Sequence, residues 1–296
     1  MDFTNAPAKI NLALHVTGQR QDGYHLLDTL VVFAATIHAS DTIIIGKTIM
    51  DGFSVSGPFG DQLRQEGLDS NLIIKARDHV REIALDSNTP TPPVHISLEK
   101  RLPVAAGLGG GSADAAATFK ALYRHWNVGY HPRKSGAGVL AELLGADVPM
   151  CLSGKPLRAV GIGDEISTIA DVPILNMVLV NCGKMVSTST IFSSLQEKQN
   201  PAIMDHPETA SDLVAFLREQ TRNDLQSAAI EQCPMISDCL DALDENGAML
   251  SRMSGSGATC FGIFADAFDA NVAARKIASA KPKWWVVATT TSGSAT

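Results

Sequence analysis

The chain has 296 residues, of which 45% are hydrophobic, 19% charged and 5% aromatic, a composition that excludes a disordered or collagen-like protein. The length predicts two domains or one large one, with enough chain to bury a core without disulfides. The formal net charge is −7 and the sequence has no long run of lysine and arginine, so it does not predict the basic face that duplex binding needs, and we do not expect nucleic acid as a partner.

The five cysteines form no C-x-x-C pair and their number is odd, which favours thiols in a reducing compartment over a zinc site or a disulfide framework. The first residues lack the charged-then-apolar order of a signal peptide. The most apolar stretches, near residues 26–39 and 172–182, are shorter than the ~18 residues of a spanning helix. We therefore expect a cytoplasmic protein with no membrane partner.

The first half of the sequence predicts a β-rich start followed by helices. Apolar residues alternate with others over residues 10–16, and a turn-rich stretch and a second apolar stretch follow, so we expect a long hairpin. Further strands are predicted over residues 41–47, 53–56 and 94–98, and helices from a cap at Asp69 or Ser70 to about 85, from Ser112 to about 125, and over 139–144.

The second half also mixes strands and helices, so the whole chain is predicted to be α+β. Residues 149–156 have the composition of a domain crossing, which divides the chain into an N-terminal domain, 1–155, and a C-terminal domain, 156–296. Strands are predicted over 174–180, 248–253, 259–264 and 284–290, and helices from Ser187 or Thr188, and over 210–219, 224–231, 235–243 and 272–279.

The strongest functional pattern is a glycine-rich segment between a predicted strand and a predicted helix. Gly107, Gly109, Gly110 and Gly111 precede Ser112. Glycine allows close approach of the backbone to a ligand, and the free N–H groups of the first helical turn face an anion. The segment therefore predicts a phosphate-binding loop, whereas turns alone do not account for four clustered glycines.

Two better-known phosphate motifs do not fit. Gly46-Lys47-Thr48 resembles the end of a P-loop, but the leading glycine position is Asp41. The glycine-rich segment lacks the acidic residue that a dinucleotide fingerprint places about 20 residues further on, because no acid occurs between Asp114 and Glu142. A nicotinamide enzyme is therefore disfavoured.

Three further segments are ambiguous when each is taken alone. Lys9 begins an apolar strand and is either a solvated lysine or a cation that stabilises a transferring phosphoryl group. Asp147 lies in a loop after a helix and is either a turn residue or a general base. Residues 254–257 (Ser-Gly-Ser-Gly) form either a turn or a loop that closes over phosphates.

Taken together, these segments resemble the three motifs of the GHMP kinase superfamily. They match most closely the branch that phosphorylates a 4-diphosphocytidyl-linked 2-C-methylerythritol in the non-mevalonate isoprenoid pathway. The resemblance extends from about residue 7 to the final strand, and residues 22–25 (Asp-Gly-Tyr-His) are its most specific part. The matching segments are residues 8–12, 20–25, 107–116, 145–149 and 255–259.

The resemblance implies a two-domain α+β GHMP kinase fold with the active site in the interdomain cleft. It also implies ATP as co-substrate, with Mg²⁺, and transfer of the γ-phosphate to the 2-hydroxyl of the substrate. Asp147 matches the catalytic base and Lys9 its polarising partner. The implied ATP-binding residues are Pro103, Val104, Ala105, Ala106, Gly107, Leu108, Gly109, Gly110, Gly111, Ser112 and Ala113.

For the cytidine end, the resemblance implies that Tyr24 and Phe192 sandwich the cytosine ring, that His25 bonds its edge and that Asn11 contacts the methylerythritol or diphosphate part. Ser112 is the candidate metal ligand, and the motifs assign no second one. The sequence departs from the branch at Cys182, where proline is common.

Two alternatives remain open at this point. One is another GHMP kinase, acting on homoserine, mevalonate or a sugar, which would lack a cytosine pocket. The other is a non-catalytic nucleotide-binding module, against which the presence of both Lys9 and Asp147 argues. A monomer and a homodimer are equally compatible with the sequence.

Overall fold

The computed structural model describes residues 2–65, 67, 71–129, 131, 134–204 and 210–293. Its strands are β1 (Asp2–Pro7), β2 (Lys9–Gln19), β3 (His25–Phe33), β4 (Ser40–Lys47), β5 (Gly52–Ser56), β6 (Val94–Glu99), β7 (Leu157–Gly161), β8 (Glu165–Thr168), β9 (Asn176–Asn181), β10 (Leu250–Met253), β11 (Thr259–Phe264) and β12 (Trp285–Thr290). Its helices are α1 (Gly60–Gln65), α2 (Leu72–Asp86), α3 (Gly110–His125), α4 (Ala137–Leu144), α5 (Val148–Ser153), α6 (Thr188–Ser194), α7 (Ala210–Gln220), α8 (Gln226–Gln232), α9 (Met235–Glu245) and α10 (Ala267–Ala280).

The chain forms two compact units, and neither is continuous in sequence. The first unit comprises Met1–Ala8, Ser40–Val104 and Gly109–Ser153. The second unit comprises Lys9–Ala39, Ala105–Leu108 and Gly154–Thr296. The glycine-rich segment therefore contributes residues to both units.

The first unit contains one sheet in the order β1-β4-β6-β5, in which β5 and β6 are parallel and the other pairs antiparallel. In β6 every second residue is fully buried: Val94, Ile96 and Leu98. Helix α3 packs against β1, β4, α2 and α5. Its buried face is mostly alanine, and small side chains let the helix axis approach its neighbours closely.

The second unit contains two antiparallel sheets, in the orders β2-β3-β7-β8 and β10-β11-β9-β12. The predicted hairpin is confirmed as β2 and β3. Both faces of β2 are buried, although the sequence alternates. The polar residues on its second face are satisfied inside the unit, because Asn11 donates to Thr29 Oγ1 and His15 bonds the carbonyl of Pro201.

The structure changes some predicted boundaries. Helix α3 begins at Gly110, two residues before the predicted start at Ser112. The residue before it, Gly109, is the N-cap and adopts a left-handed conformation with φ of 60°, which glycine allows. The predicted domain crossing, residues 149–156, is helical up to residue 153, because residues 149–153 belong to α5. The predicted caps Asp69 and Ser70 lie outside the described residues, and the side chain of Asn71 caps α2 by accepting from the Ile73 N–H.

Arg252 on β10 joins three parts of the second unit. Its guanidinium is buried and donates to the carbonyls of Leu217 and Thr221 at the end of α7, and to the Leu12 carbonyl on β2. Burial lowers its pKa to about 10, which leaves the side chain charged at neutral pH. A cation at the carboxyl end of a helix satisfies carbonyls that have no partner within the helix.

We predict that Arg252→Ala lowers the free energy of unfolding by more than about 3 kcal/mol, because several buried carbonyls lose their donor at once. Urea denaturation monitored by circular dichroism measures the change. Arg218→Ala is the matched control, since the Arg218 side chain is 57% exposed and, of the residues that the structure describes, bonds only Glu219. Equal losses of stability in the two variants would contradict this role of Arg252.

Candidate active site

In the second unit, residues 106–108 of the glycine-rich segment are fixed by hydrogen bonds. The Lys9 N–H donates to the Leu108 carbonyl (2.9 Å) and the Ser254 hydroxyl to the Gly107 carbonyl (3.0 Å). Gly107 has φ of 73°, and a Cβ there would lie 2.3 Å from the Ser254 carbonyl oxygen. Glycine at position 107 is therefore required by packing against the Ser254 loop, whether or not a ligand is bound.

In the first unit, the same segment ends at the start of α3. Gly109 is the N-cap, and within the described part of the chain no side chain caps the start of the helix. These amides, with the helix dipole behind them, form the kind of site that binds phosphate. The predicted anion-binding residues 109–113 thus occupy the first turn of a 16-residue helix.

A buried charged cluster lies directly behind the start of α3. Lys100 Nζ lies 2.6 Å from Asp41 Oδ2 and 2.8 Å from Asp114 Oδ2, and all three side chains are almost completely buried. The other oxygen of Asp41 accepts from the backbone N–H groups of Arg101 and Leu102. The cluster therefore fixes the chain on both sides of the glycine-rich segment.

Sequence reasoning missed this cluster. Asp41 begins a strand, Lys100 follows another strand, and Asp114 lies within an alanine-rich helix, so no local pattern joins them. The signal available was an acidic residue among the alanines of an apolar helical face, because buried carboxylates need a partner.

The two carboxylates of the cluster differ in their partners. Asp41 accepts from one ammonium and two backbone N–H groups. Asp114 accepts from Lys100 through Oδ2, and its buried Oδ1 has no hydrogen-bond partner among the described residues. Burial and the nearby Asp41 charge raise the pKa of Asp114 to about 8, although Lys100 opposes the rise. For Lys100, the two carboxylates outweigh burial and raise its pKa above the ordinary value.

The raised pKa of Asp114 predicts a pH-dependent stability. The Asp114 carboxyl has a pKa of 3.8 in the unfolded chain and of about 8 in the folded chain. Between these two pH values, the folded chain therefore holds a proton that the unfolded chain has lost. The stabilisation is complete below pH 3.8 and is lost as the pH rises through about 8. In Asp114→Asn this loss should be absent, which urea midpoints measured across the interval will show. Identical pH profiles for the two proteins would contradict the assignment.

The side chain of Lys9 is held inside the second unit and is not the solvated lysine that the residue alone would suggest. Lys9 is 5% exposed, and its Nζ lies 3.2 Å from Asn11 Oδ1. Asn11 is held in turn, since its Nδ2 donates to Thr29 Oγ1 (2.8 Å) and its backbone N–H donates to Ser254 Oγ. Because β2 and the Ser254 loop fix Asn11, the ammonium group of Lys9 has a defined position.

Asp147 belongs to the first unit and lies between two helices. Helix α4 ends at Gly145, which has φ of 111°, and α5 begins at Val148. The Asp147 carbonyl accepts from the Cys151 N–H, so the backbone of Asp147 is part of the first turn of α5. The carboxylate is half-buried, which suits a group that exchanges a proton with a ligand.

His25 and Phe192, two of the predicted cytosine-binding residues, are in contact. Their ring centroids lie 4.9 Å apart with an angle of 31° between the planes. His25 Nε2 is buried and has no hydrogen-bond partner among the described residues. Burial, and to a lesser extent the charge of Lys198, lowers the pKa of His25, so the ring is neutral at pH 7. A ligand with a hydrogen-bonding edge would satisfy this nitrogen.

Tyr24, the third of these residues, lies on the turn of the β2–β3 hairpin and is 61% exposed. Its backbone N–H donates to Asp22 Oδ1, and its carbonyl accepts from the Arg20 N–H. The turn is therefore ordered by its own hydrogen bonds, while the aromatic ring faces solvent and is free to stack on a ligand.

Cys182 occupies the position where proline is common, and here hydrogen bonds of the neighbouring Asn181 hold the backbone. The Asn181 side chain accepts from the Gly183 N–H (2.8 Å) and donates to Thr259 Oγ1 (2.9 Å). A hydrogen bond with the Cys239 thiol, together with burial, raises the pKa of the Cys182 thiol. All five cysteines are buried thiols.

The described ranges contain no group of three His, Cys, Asp or Glu residues arranged to hold a metal ion.

Two protein-family models match the chain, one for the N-terminal domain of GHMP kinases over residues 71–155 and one for the GHMP kinase C-terminal domain over residues 205–283. The 4-diphosphocytidyl-2-C-methyl-D-erythritol kinase of Agrobacterium fabrum is 51% identical over 293 residues, which cover 97% of this chain and 95% of that protein. The enzyme of the same name from Sinorhizobium medicae is 48% identical, with 97% and 94% covered.

A crystal structure of a 4-(cytidine 5'-diphospho)-2C-methyl-D-erythritol kinase superposes with a TM-score of 0.78 at 30% identity and covers 99% of this chain and 100% of that one. The chain belongs to the 4-diphosphocytidyl-2-C-methyl-D-erythritol kinase family of the GHMP kinases. The predicted resemblance and the α+β GHMP fold are thereby confirmed, and the chain is a small-molecule kinase. Within the described ranges, no helix has the length and apolar character needed to cross a membrane.

Proposed function

We propose that this chain transfers the γ-phosphate of ATP to the 2-hydroxyl of 4-diphosphocytidyl-2-C-methyl-D-erythritol, a step of the non-mevalonate isoprenoid pathway. The observation that carries the proposal is 51% identity over nearly the whole chain to an enzyme of that name. The contact between His25 and Phe192, with a ring nitrogen left unpartnered, supports a nucleobase as part of the substrate.

ATP would bind through residues 103–113. The backbone N–H groups at the start of α3 would donate to its phosphate oxygens, and the Lys100 cluster keeps that helix start in place. Backbone donors carry no net charge and can surround a polyphosphate closely, which accounts for phosphate binding in a protein of net charge −7.

In the transfer step, Asp147 would accept the proton of the substrate 2-hydroxyl as the oxygen bonds to the γ-phosphorus and the bond to ADP breaks. A neutral hydroxyl is a poor nucleophile, so a placed carboxylate lowers the barrier. Lys9 would polarise Asp147 and offset negative charge on the transferring group. The buried position of the Lys9 ammonium and its bond to Asn11 support a fixed and not a solvated cation.

Mg²⁺ fits the residues at the start of α3. The ion usually takes one or two protein oxygens, with the rest of its shell from phosphates and water, so a single hydroxyl and no carboxylate cluster are sufficient. Ser112, in the first turn of α3, makes no hydrogen bond through its hydroxyl within the described structure, and we propose it as the protein ligand. When bound, the ion would neutralise charge on the ATP phosphates.

The cytidine group would occupy the space beside His25. Tyr24 and Phe192 would stack on the cytosine faces, the neutral His25 ring would bond the base edge, and Asn11 would contact the methylerythritol or diphosphate part. Stacking on aromatic rings and edge hydrogen bonds are the usual way in which proteins bind an unpaired base.

We further propose that the two family domains divide the sequence into 1–155 and 156–296, which the ends of the two matched family regions support. This division of the sequence differs from that into compact units, because Lys9–Ala39 belongs to the second unit. The buried thiols suit a reducing compartment, and we propose the cytoplasm. The protein would act as a monomer or a homodimer.

A ³¹P NMR assay with ATP, Mg²⁺ and 4-diphosphocytidyl-2-C-methylerythritol tests the reaction. We expect a new phosphomonoester signal with the wild-type protein and a kcat at least ~100-fold lower for Asp147→Asn, because the base is removed. ATP affinity should be nearly unchanged in the variant. Undiminished transfer by Asp147→Asn would overturn the base assignment, and a signal only with homoserine, mevalonate or galactose would overturn the substrate.

Tyr24→Ala tests the nucleobase site. We expect the KM for the cytidine substrate to rise about 10-fold, since one stacking partner is lost, while the KM for ATP stays constant. Folding should be unaffected because Tyr24 is 61% exposed. Phe268→Ala, which removes another aromatic side chain that is 72% exposed, is the matched control. An unchanged KM in Tyr24→Ala would argue against stacking by this residue.

A further inference from the structure

Residues 197–203, here named the strap, carry no periodic sequence pattern, yet they are tied to the β2–β3 hairpin at three points. The Asn200 N–H donates to the Val16 carbonyl (3.0 Å), His15 Nδ1 donates to the Pro201 carbonyl (2.9 Å), and the Ile203 N–H donates to Asp28 Oδ2 (2.8 Å). Because its backbone is fixed in this way, the strap holds its side chains in defined positions on the hairpin.

Lys198 lies near the beginning of the strap and has no carboxylate partner among the described residues. The neighbouring Glu197 accepts through Oε1 from the backbone N–H groups of Lys198 and Gln199, so this carboxylate is used within the strap. Lys198 Nζ donates to the neutral Oε1 of Gln19 at 3.3 Å, and its side chain is half-buried. The strap thus presents a cation that forms no ion pair within the described ranges.

The ammonium group lies close to the proposed nucleobase site. Gln19, which holds it, is paired with His25 across the end of the hairpin. The Lys198 charge also contributes, after burial, to the lowered pKa of His25, which places it within electrostatic range of that ring. The other cation of this hairpin end, Arg20, is already paired with Asp22 at 2.7 Å.

A substrate whose base lies against His25 brings its phosphates within one ribose of that residue. A diphosphate carries a high negative charge and forms charge-assisted hydrogen bonds with an ammonium group. Such bonds form readily where the protein already holds the ammonium group in position. We propose that Lys198 is a substrate-binding residue that pairs with the diphosphate of the cytidine diphosphate group. This assignment rests on the proposed function, because it requires the base to occupy the His25 site.

The test compares CDP with cytidine as ligands of Lys198→Gln, by isothermal titration calorimetry. Loss of one charge-assisted hydrogen bond should weaken CDP binding about 10-fold, while cytidine, which has no phosphate, should bind as it does to the wild type. The difference between variant and wild type should shrink at high salt. Lys198→Arg keeps the charge and should restore most of the CDP affinity. Lys276→Gln, a change of an exposed lysine on α10, is the matched control.

Steady-state kinetics provide a second readout. In turnover, Lys198→Gln should raise the KM for the cytidine substrate and leave the kcat nearly constant. Equal weakening of CDP and cytidine, no weakening of either, or CDP binding by Lys198→Arg as weak as by Lys198→Gln would each overturn the assignment. If the wild-type protein binds neither CDP nor cytidine, the proposed function itself fails. If the wild type and Lys198→Gln bind CDP equally well, only the role of Lys198 fails.

Discussion

The ammonium group of Lys100 between two buried carboxylates is the interaction on which the phosphate-binding part of the first unit depends. It joins the start of β4, the end of β6 and the first turns of α3 through Asp41 and Asp114. Removal of Lys100 or Asp41 leaves an uncompensated charge in the interior, which costs far more than the loss of a surface ion pair. The position of the α3 N-terminus is thus fixed by buried contacts within the first unit.

The glycines of the phosphate segment serve different purposes, although they form one motif in the sequence. Gly107 is needed because the Ser254 carbonyl leaves no room for a Cβ, and Gly109 because α3 begins from a left-handed residue. The motif therefore encodes two neighbouring features: a packing contact within the chain at Gly107 and a helix start at Gly109. A ligand-based interpretation of the motif alone would assign both glycines to the phosphate.

The sequence was sufficient to predict the elements whose signals are local. The β2–β3 hairpin and α3 follow from alternation, turn residues and alanine content, and the family motifs indicated His25 and Phe192, which the fold brings into contact. The burial of Lys9 could not be predicted, because its acceptor Asn11 is held by Thr29 on the next strand and by the Ser254 loop.

Other features depend on partners far apart in the chain. Asp41 and Lys100 are 59 residues apart, and the strap residue Asn200 bonds Val16 across 184 residues. Periodicity reports which face of an element is apolar, but it does not report which distant residue will lie opposite. The long-range polar contacts that fix the α3 start and the strap were for this reason absent from the sequence-based expectations.

The discontinuous units also affect how the chain can fold during synthesis. The β2–β3 hairpin leaves the ribosome early, but β3 pairs with β7, and β2 is held by Asn223 and its neighbours, all of which are translated more than a hundred residues later. Meanwhile the segments of the first unit are completed up to Ser153. The nascent chain therefore carries this apolar hairpin without its later partners throughout the translation of the first unit, a condition that favours aggregation.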